Sequence, residues 1–170
     1  SSDIAVDHVF CNLRYPFWHD HRLEIRDCEM TELCRAALWY SDHITITNTK
    51  MHGIKALREC SDVRIENCDI ISPEFGWSVK NIDMRHTTAE SEYFMMRSEG
   101  KYSFQYTENS VFDNCVFDTK DAFWHSKNVT VKNSVIKGEY LAWYSQGLTL
   151  INCKITGTQP FCYCEGLKLI

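Results

Sequence analysis

NSVFDNCVFDTKDAFWHSK (109–127), NVTVKNSVIKGEYLAWYSQ (128–146) and GLTLINCKITGTQPFCYCE (147–165) are three consecutive units of 19 residues. Each opens with a short alternating apolar run, such as Val129/Val131 or Leu148/Leu150, and reaches Asn at its sixth position: Asn114, Asn133, Asn152. A small residue follows at the seventh position and an apolar one at the ninth, and an aromatic-rich half closes the unit. Self-similarity at a short fixed period is the mark of a solenoid, in which each repeat buries its apolar face only against its neighbours.

Laid backwards, the same frame divides the chain into 3–21, 22–42, 43–61, 62–80 and 81–99, all of 19 residues except the second, which has 21. Its two extra residues are expected near 31–35. The opening run continues as Ile4/Val6, Leu23/Ile25, Ile44/Ile46, Val63/Ile65 and Ile82/Met84. Such runs read as strands with one buried face. They recur too closely for a helix to intervene, so each unit is a coil of two or three short strands stacked in parallel on the next. The expectation is an all-β, right-handed, single-stranded parallel β-helix of about nine coils, roughly 40 Å long at the usual strand spacing. It fills residues 1–170 as one domain. Segment 100–108 (GKYSFQYTE) matches only the second half of a coil, which suggests a half-coil gap before Gly100.

The sixth column, Asp27, Asn48, Asn67, Asn114, Asn133 and Asn152, suits a corner in the left-handed conformation, with side chains bonding from coil to coil. Composition excludes several functions. Eighteen basic and 23 acidic residues leave a net charge of −5, with no basic patch for nucleic acid or a membrane surface. No apolar run approaches the ~18 residues of a membrane-spanning helix. Nine cysteines, an odd number, read as reduced thiols and hence a cytoplasmic location. Cys28, Cys68, Cys115 and Cys153 share the seventh column with Thr49, Thr87 and Ser134, and no pairs at zinc-finger spacing occur. No cofactor and no metal are expected.

The segments Ser126-Lys127-Asn128-Val129-Thr130-Val131, Gly138-Glu139-Tyr140-Leu141-Ala142-Trp143-Tyr144-Ser145 and Leu148-Thr149-Leu150-Ile151-Asn152-Cys153 resemble a bacterial domain-of-unknown-function family of pectin-lyase-like right-handed parallel β-helix proteins. Tyr15-Pro16-Phe17-Trp18 and Asp121-Ala122-Phe123-Trp124 fit the same pattern. The resemblance implies the fold and no reaction.

All five tryptophans, Trp18, Trp39, Trp77, Trp124 and Trp143, fall in the sixteenth column. The fifteenth holds Phe17, Leu38, Leu57, Met95, Phe104, Phe123 and Phe161, and the seventeenth includes His19, Tyr40, Arg97, His125 and Tyr144. Adjacent strand positions face opposite ways, so one of the Phe and Trp columns must lie outside. An outer Trp column flanked by Tyr40, Tyr144, His19 and Arg97 could bind a polysaccharide. It could equally face a protein partner or a second copy of the chain, as could uncapped ends. The expected function is a noncatalytic binding or scaffold module with an aromatic face. The alternative is a polysaccharide lyase or glycoside hydrolase. For that chemistry, which needs carboxylates roughly 5–9 Å apart, the candidates are Asp113, Asp118, Asp121 and His125.

Overall fold

The computed structural model describes residues 1–90 and 103–170. In chain order its strands are β1 (Ser2–Asp7), β2 (Phe10–Cys11), β3 (His21–Arg26), β4 (Glu29–Met30), β5 (Asp42–Thr47) and β6 (Lys50–Met51). Then come β7 (Ser61–Glu66), β8 (Asp69–Ile71), β9 (Lys80–Arg85), β10 (Thr88–Glu90), β11 (Glu108–Asp113) and β12 (Val116–Asp118). The last are β13 (Lys127–Lys132), β14 (Val135–Lys137), β15 (Thr149–Ile151), β16 (Lys154–Thr156) and β17 (Lys168–Leu169). Odd-numbered strands form one nine-stranded sheet and even-numbered strands one eight-stranded sheet, every pairing parallel. The chain is an all-β parallel solenoid of eight turns with the first strand of a ninth. No helix among the described residues is long and apolar enough to cross a membrane.

The alternating runs are the reason for the first sheet. Leu23, Ile25, Ile44, Ile46, Val63, Ile65, Val129 and Val131 are buried, while their neighbours point outward. Both irregular turns can be located from register. Glu29 faces Lys50, 21 positions on, whereas Trp39 faces Arg58 at the usual spacing, so the two extra residues lie between Met30 and Trp39. Thr31 closes that bulge by accepting from the Cys34 amide at 2.9 Å.

The second irregularity corrects the frame. β9 pairs directly with β11, Lys80 facing Glu108, and the Ile82 amide bonds the Ser110 hydroxyl, 28 positions on, at 3.0 Å. Lys80 and Glu108 therefore lie one turn apart in the ladder, and the described strands make eight turns and the start of a ninth. The ladder of parallel strands is continuous across that turn. Phe104 enters the fifteenth column of this turn, its amide bonding the Phe75 carbonyl at 2.7 Å. The position before Gly100 where a gap was expected, together with Met95 and Arg97, lies outside the described residues.

Between the second sheet and the next turn the chain forms a third wall that is mostly turn rather than strand. Left-handed residues occur there at every second position, for example Asp121 (φ 58), Phe123 (φ 59) and His125 (φ 54). This breaks simple in–out alternation, so that Ala122 and Phe123 are both buried. Coil-to-coil hydrogen bonds still satisfy the backbone: His125 donates to the Trp143 carbonyl at 2.9 Å and Tyr144 to that of Cys162 at 3.0 Å. Left-handed corners also occur at the first and sixth columns, as at Asn128 (φ 51) and Asn133 (φ 49). Both corners carry amide ladders: Asn152 Nδ2 donates to Asn133 Oδ1 at 2.9 Å, and Asn128 Nδ2 to Asn109 Oδ1 at 3.2 Å. Gly138 is required by packing, since a Cβ there would sit 2.2 Å from the Thr119 carbonyl oxygen.

The seventh column is a polar seam inside the core. Thr87 Oγ1 donates to the Arg85 carbonyl at 2.8 Å and accepts from the Cys68 amide at 3.3 Å, while Ser134 Oγ accepts from the Cys115 amide at 3.0 Å. Cysteine thiols alternate with these hydroxyls and donate to backbone carbonyls, as Cys28 does to Arg26 at 2.9 Å. All nine thiols are free. Burial pushes the Cys60 thiol up to about 12 and that of Cys115 to about 11.

Candidate functional site

The third wall decides which aromatic column is inside. Leu38, Leu57, Phe104, Phe123 and Ala142 are fully buried. Phe104, Phe112, Phe117 and Phe123 form one cluster with centroids 5.0–5.7 Å apart. The fifteenth column is core, and the Trp column lies outside it, half-buried, with Trp18 37% exposed.

The indoles do not lie flat against the wall. Trp18 stacks on Trp39 (5.1 Å, 6°) and Trp124 on Trp143 (5.4 Å, 2°). The Arg58 guanidinium fills the place of an indole between Trp39 and Trp77, 5.1 Å from each ring, a cation–π sandwich. Each of four indoles donates its N–H to a carbonyl of the following turn: Trp18 to Ala36 (2.6 Å), Trp39 to Lys55 (2.7 Å), Trp124 to Tyr140 (2.5 Å) and Trp143 to Gln159 (2.6 Å). Ring planes therefore lie across the solenoid axis and their faces cover one another.

The seventeenth column forms a second, more exposed stack. His19 lies on Tyr40 at 5.0 Å. Tyr106, His125, Tyr144 and Tyr163 run as a continuous column with centroids 5.0, 5.0 and 4.9 Å apart and planes within 9°. Both faces of His125 and of Tyr144 are thereby occupied. Of the residues expected to form a binding strip, the structure brings Trp18, Trp39, Tyr40 and His19 together at one end. Trp124, Trp143 and Tyr144 gather at the other, beside the acid–base candidate His125. Trp77 stands between them against Tyr106 (5.5 Å).

The four acid–base candidates are not assembled into one group. Asp113 ends β11, where it accepts from Asn133 Nδ2 at 2.9 Å and faces Lys132 Nζ at 3.6 Å. Asp118 ends β12 in the other sheet, exposed and 4.0 Å from Lys137 Nζ. Asp121 is buried at a left-handed corner, and His125 is held in the aromatic stack. The hydrogen bond from Asn133 holds the Asp113 carboxyl below its usual range, with Lys132 adding to it and burial opposing. A low-lying carboxylate is the wrong state for a general acid.

A grouping that the column frame contained but the sequence reading missed lies at the start of β3 and β5. His21 and Asp42 are ladder partners, and His43 follows directly. Both imidazoles present Nδ1 to Asp42 Oδ1, His43 at 2.7 Å and His21 in closer contact. The signal was phase: once the 21-residue turn is accommodated, His21 and Asp42 share the nineteenth column.

The family described as protein of unknown function (DUF3737) matches residues 1–170, and the chain belongs to it. No curated protein matches the chain in sequence. Among solved structures, a trypsin-treated form of QnrB1, a plasmid-mediated fluoroquinolone resistance protein, is 12% identical with a TM-score of 0.37, over 99% of this chain and 90% of that one. HetL, a pentapeptide repeat protein involved in heterocyst differentiation regulation from the cyanobacterium Nostoc, is 10% identical with a TM-score of 0.33, over 96% and 85%. The A-module of a mannuronan C-5 epimerase from Azotobacter vinelandii is 12% identical with a TM-score of 0.29, over 95% and 51%.

Proposed function

From that family membership we propose that the chain is a noncatalytic scaffold module, a stiff solenoid rod whose aromatic columns brace the third wall. Its exposed tyrosine–histidine edge meets a protein surface rather than a glycan. The observation that supports this reading is the face-to-face stacking of the rings. A sugar docks its C–H groups on the electron-rich face of an aromatic ring, and both faces of Trp39, His125 and Tyr144 are taken by neighbouring turns. Tyr40, Tyr106, Tyr144 and Tyr163 are exposed along this edge, and their phenol hydroxyls are suited to hydrogen bonding with a partner's polar groups. The separation of Asp113, Asp118 and Asp121 onto different elements argues against lyase or hydrolase chemistry.

The test is a titration of intrinsic tryptophan fluorescence with acidic and neutral polysaccharides, run beside assays for reducing ends and unsaturated products. The expected result is no saturable shift and no product. A saturable shift would return the columns to glycan binding, and product formation would make the chain an enzyme.

A further inference from the structure

His43 departs from its column. The first position of each other turn from the fourth onward is Asp62, Asn81, Asn109, Asn128 or Gly147, of which Asn81 bonds Asp62 and Asn128 bonds Asn109; here it is an imidazole. Its left-handed backbone (φ 53) breaks the alternation of the strand, so Asp42 and His43 both face outward before Ile44 turns into the core. His21 reaches the same place from the preceding turn, half-buried, its ring 5.1 Å from that of His43 at 73°. The ligating atoms of His21, Asp42 and His43 all lie within 4.8 Å of one another.

Two imidazole nitrogens and one carboxylate oxygen are a donor set for zinc and its neighbours, whereas calcium and magnesium take oxygen. Zinc bonds of about 2.0–2.2 Å in a tetrahedron place ligand atoms roughly 3.3–3.6 Å apart, which small side-chain rotations reach from the spacing found. The stems are fixed by the β3–β5 ladder, so little order has to be created on binding. The nearest cation, Arg22, is engaged by Asp3 at 2.6 and 2.7 Å, and the Asp62 carboxylate lies 3.9 Å from His43 Nε2. A second group, Asp7, His8 and Asp27, is fully exposed and offers a single imidazole.

We propose that His21, Asp42 and His43 form a binding site for a zinc-class divalent cation on the outer wall of the solenoid, with a fourth position open to water or to a partner's side chain. Three ligands with one open position is the arrangement of an exchangeable site, not of a closed structural one. Because the ligands come from two turns, bound metal would also clamp β3 to β5.

The test is titration of the metal-stripped chain with Co²⁺ and Zn²⁺, followed by calorimetry and by the Co²⁺ visible spectrum. One cation per chain should bind, with weak d–d bands and no intense thiolate charge-transfer band, and Ca²⁺ should give no heat. Asp42→Asn and His43→Gln should each weaken binding by about ten-fold or more, as loss of a ligand must cost at least what loss of its outer-shell partner costs. His21→Gln, on the neighbouring turn, repeats that test independently, and His8→Gln should change nothing. A thiolate band would assign the metal to the cysteines and overturn the proposal. So would affinity unchanged in the three ligand variants, or the absence of saturable binding to the unaltered chain.

Discussion

Phe123 and Trp124 are consecutive residues in one turn, yet they lie on opposite sides of the wall, and alanine at each measures what that placement is worth. Phe123 is fully buried, with Phe112, Phe117 and Phe104 at 5.2, 5.3 and 5.5 Å. Its truncation removes a closely packed ring and leaves a cavity, a change that costs about 3–5 kcal/mol. Trp124 is half-buried, stacked on Trp143 at 5.4 Å, and its indole N–H bonds the Tyr140 carbonyl at 2.5 Å. A stacked pair contributes about 0.5–1.5 kcal/mol beyond its area burial, a hydrogen bond about 0.5–1.5 kcal/mol and the apolar area of a half-buried ring about 1–2 kcal/mol, so Trp124→Ala should cost roughly 2–5 kcal/mol. Urea unfolding followed by far-ultraviolet circular dichroism reads both. With a slope of about 2 kcal/mol per molar, Phe123→Ala should lower the midpoint by roughly 1.5–2.5 M and Trp124→Ala by roughly 1–2.5 M. Trp124→Phe should recover the stacking share and not the hydrogen bond. A loss for Phe123→Ala below about 2 kcal/mol, at unchanged slope, would refute the placement of the Phe column in the core.

Thiol reactivity should follow burial: in a labelling time course at pH 8, the half-buried Cys153, Cys162 and Cys164 should react first. The other six should wait for denaturant, since burial raises the Cys60 and Cys115 thiols to about 12 and about 11 and the thiolate is the reactive form; fast labelling of either, located by mass spectrometry, would contradict the packing. Acid should destabilise the fold through carboxylates whose folded pKa is depressed, Asp113 by Asn133 and Asp42 by His43. Their contribution is complete above the unfolded value of about 3.9 and is lost as pH falls below it. A series of melting curves from about pH 6 to pH 2 should therefore be steeper at the acid end for the unaltered chain than for Asp113→Asn.

The candidate site was legible only in part. The Trp column was visible from phase alone, because all five indoles recur at one position. Its orientation was not, because the in–out rule assumes extended backbone and the third wall alternates left-handed residues instead. The His21–Asp42–His43 group was missed because its members are separated in sequence by an irregular turn, and spacing rules for metal ligands assume a local motif. Only stacking of two turns brings them together.

The sequence by itself determined the solenoid: a 19-residue period with an apolar run at its start leaves parallel stacking as the way to bury every unit. It also determined the asparagine corners and the small polar seam, since those depend on residue type at a repeated phase. The tertiary structure decided the rest. Phe104 follows an interval nine residues longer than the frame allowed, and only the pairing of Lys80 with Glu108 shows that these two residues lie one turn apart. A period cannot distinguish an insertion from a missing half-repeat, whereas a hydrogen-bonded ladder can, because each backbone group has one neighbour to satisfy it. The same holds for the aromatic columns: periodicity sets which residues share a line, and backbone conformation sets which way that line faces.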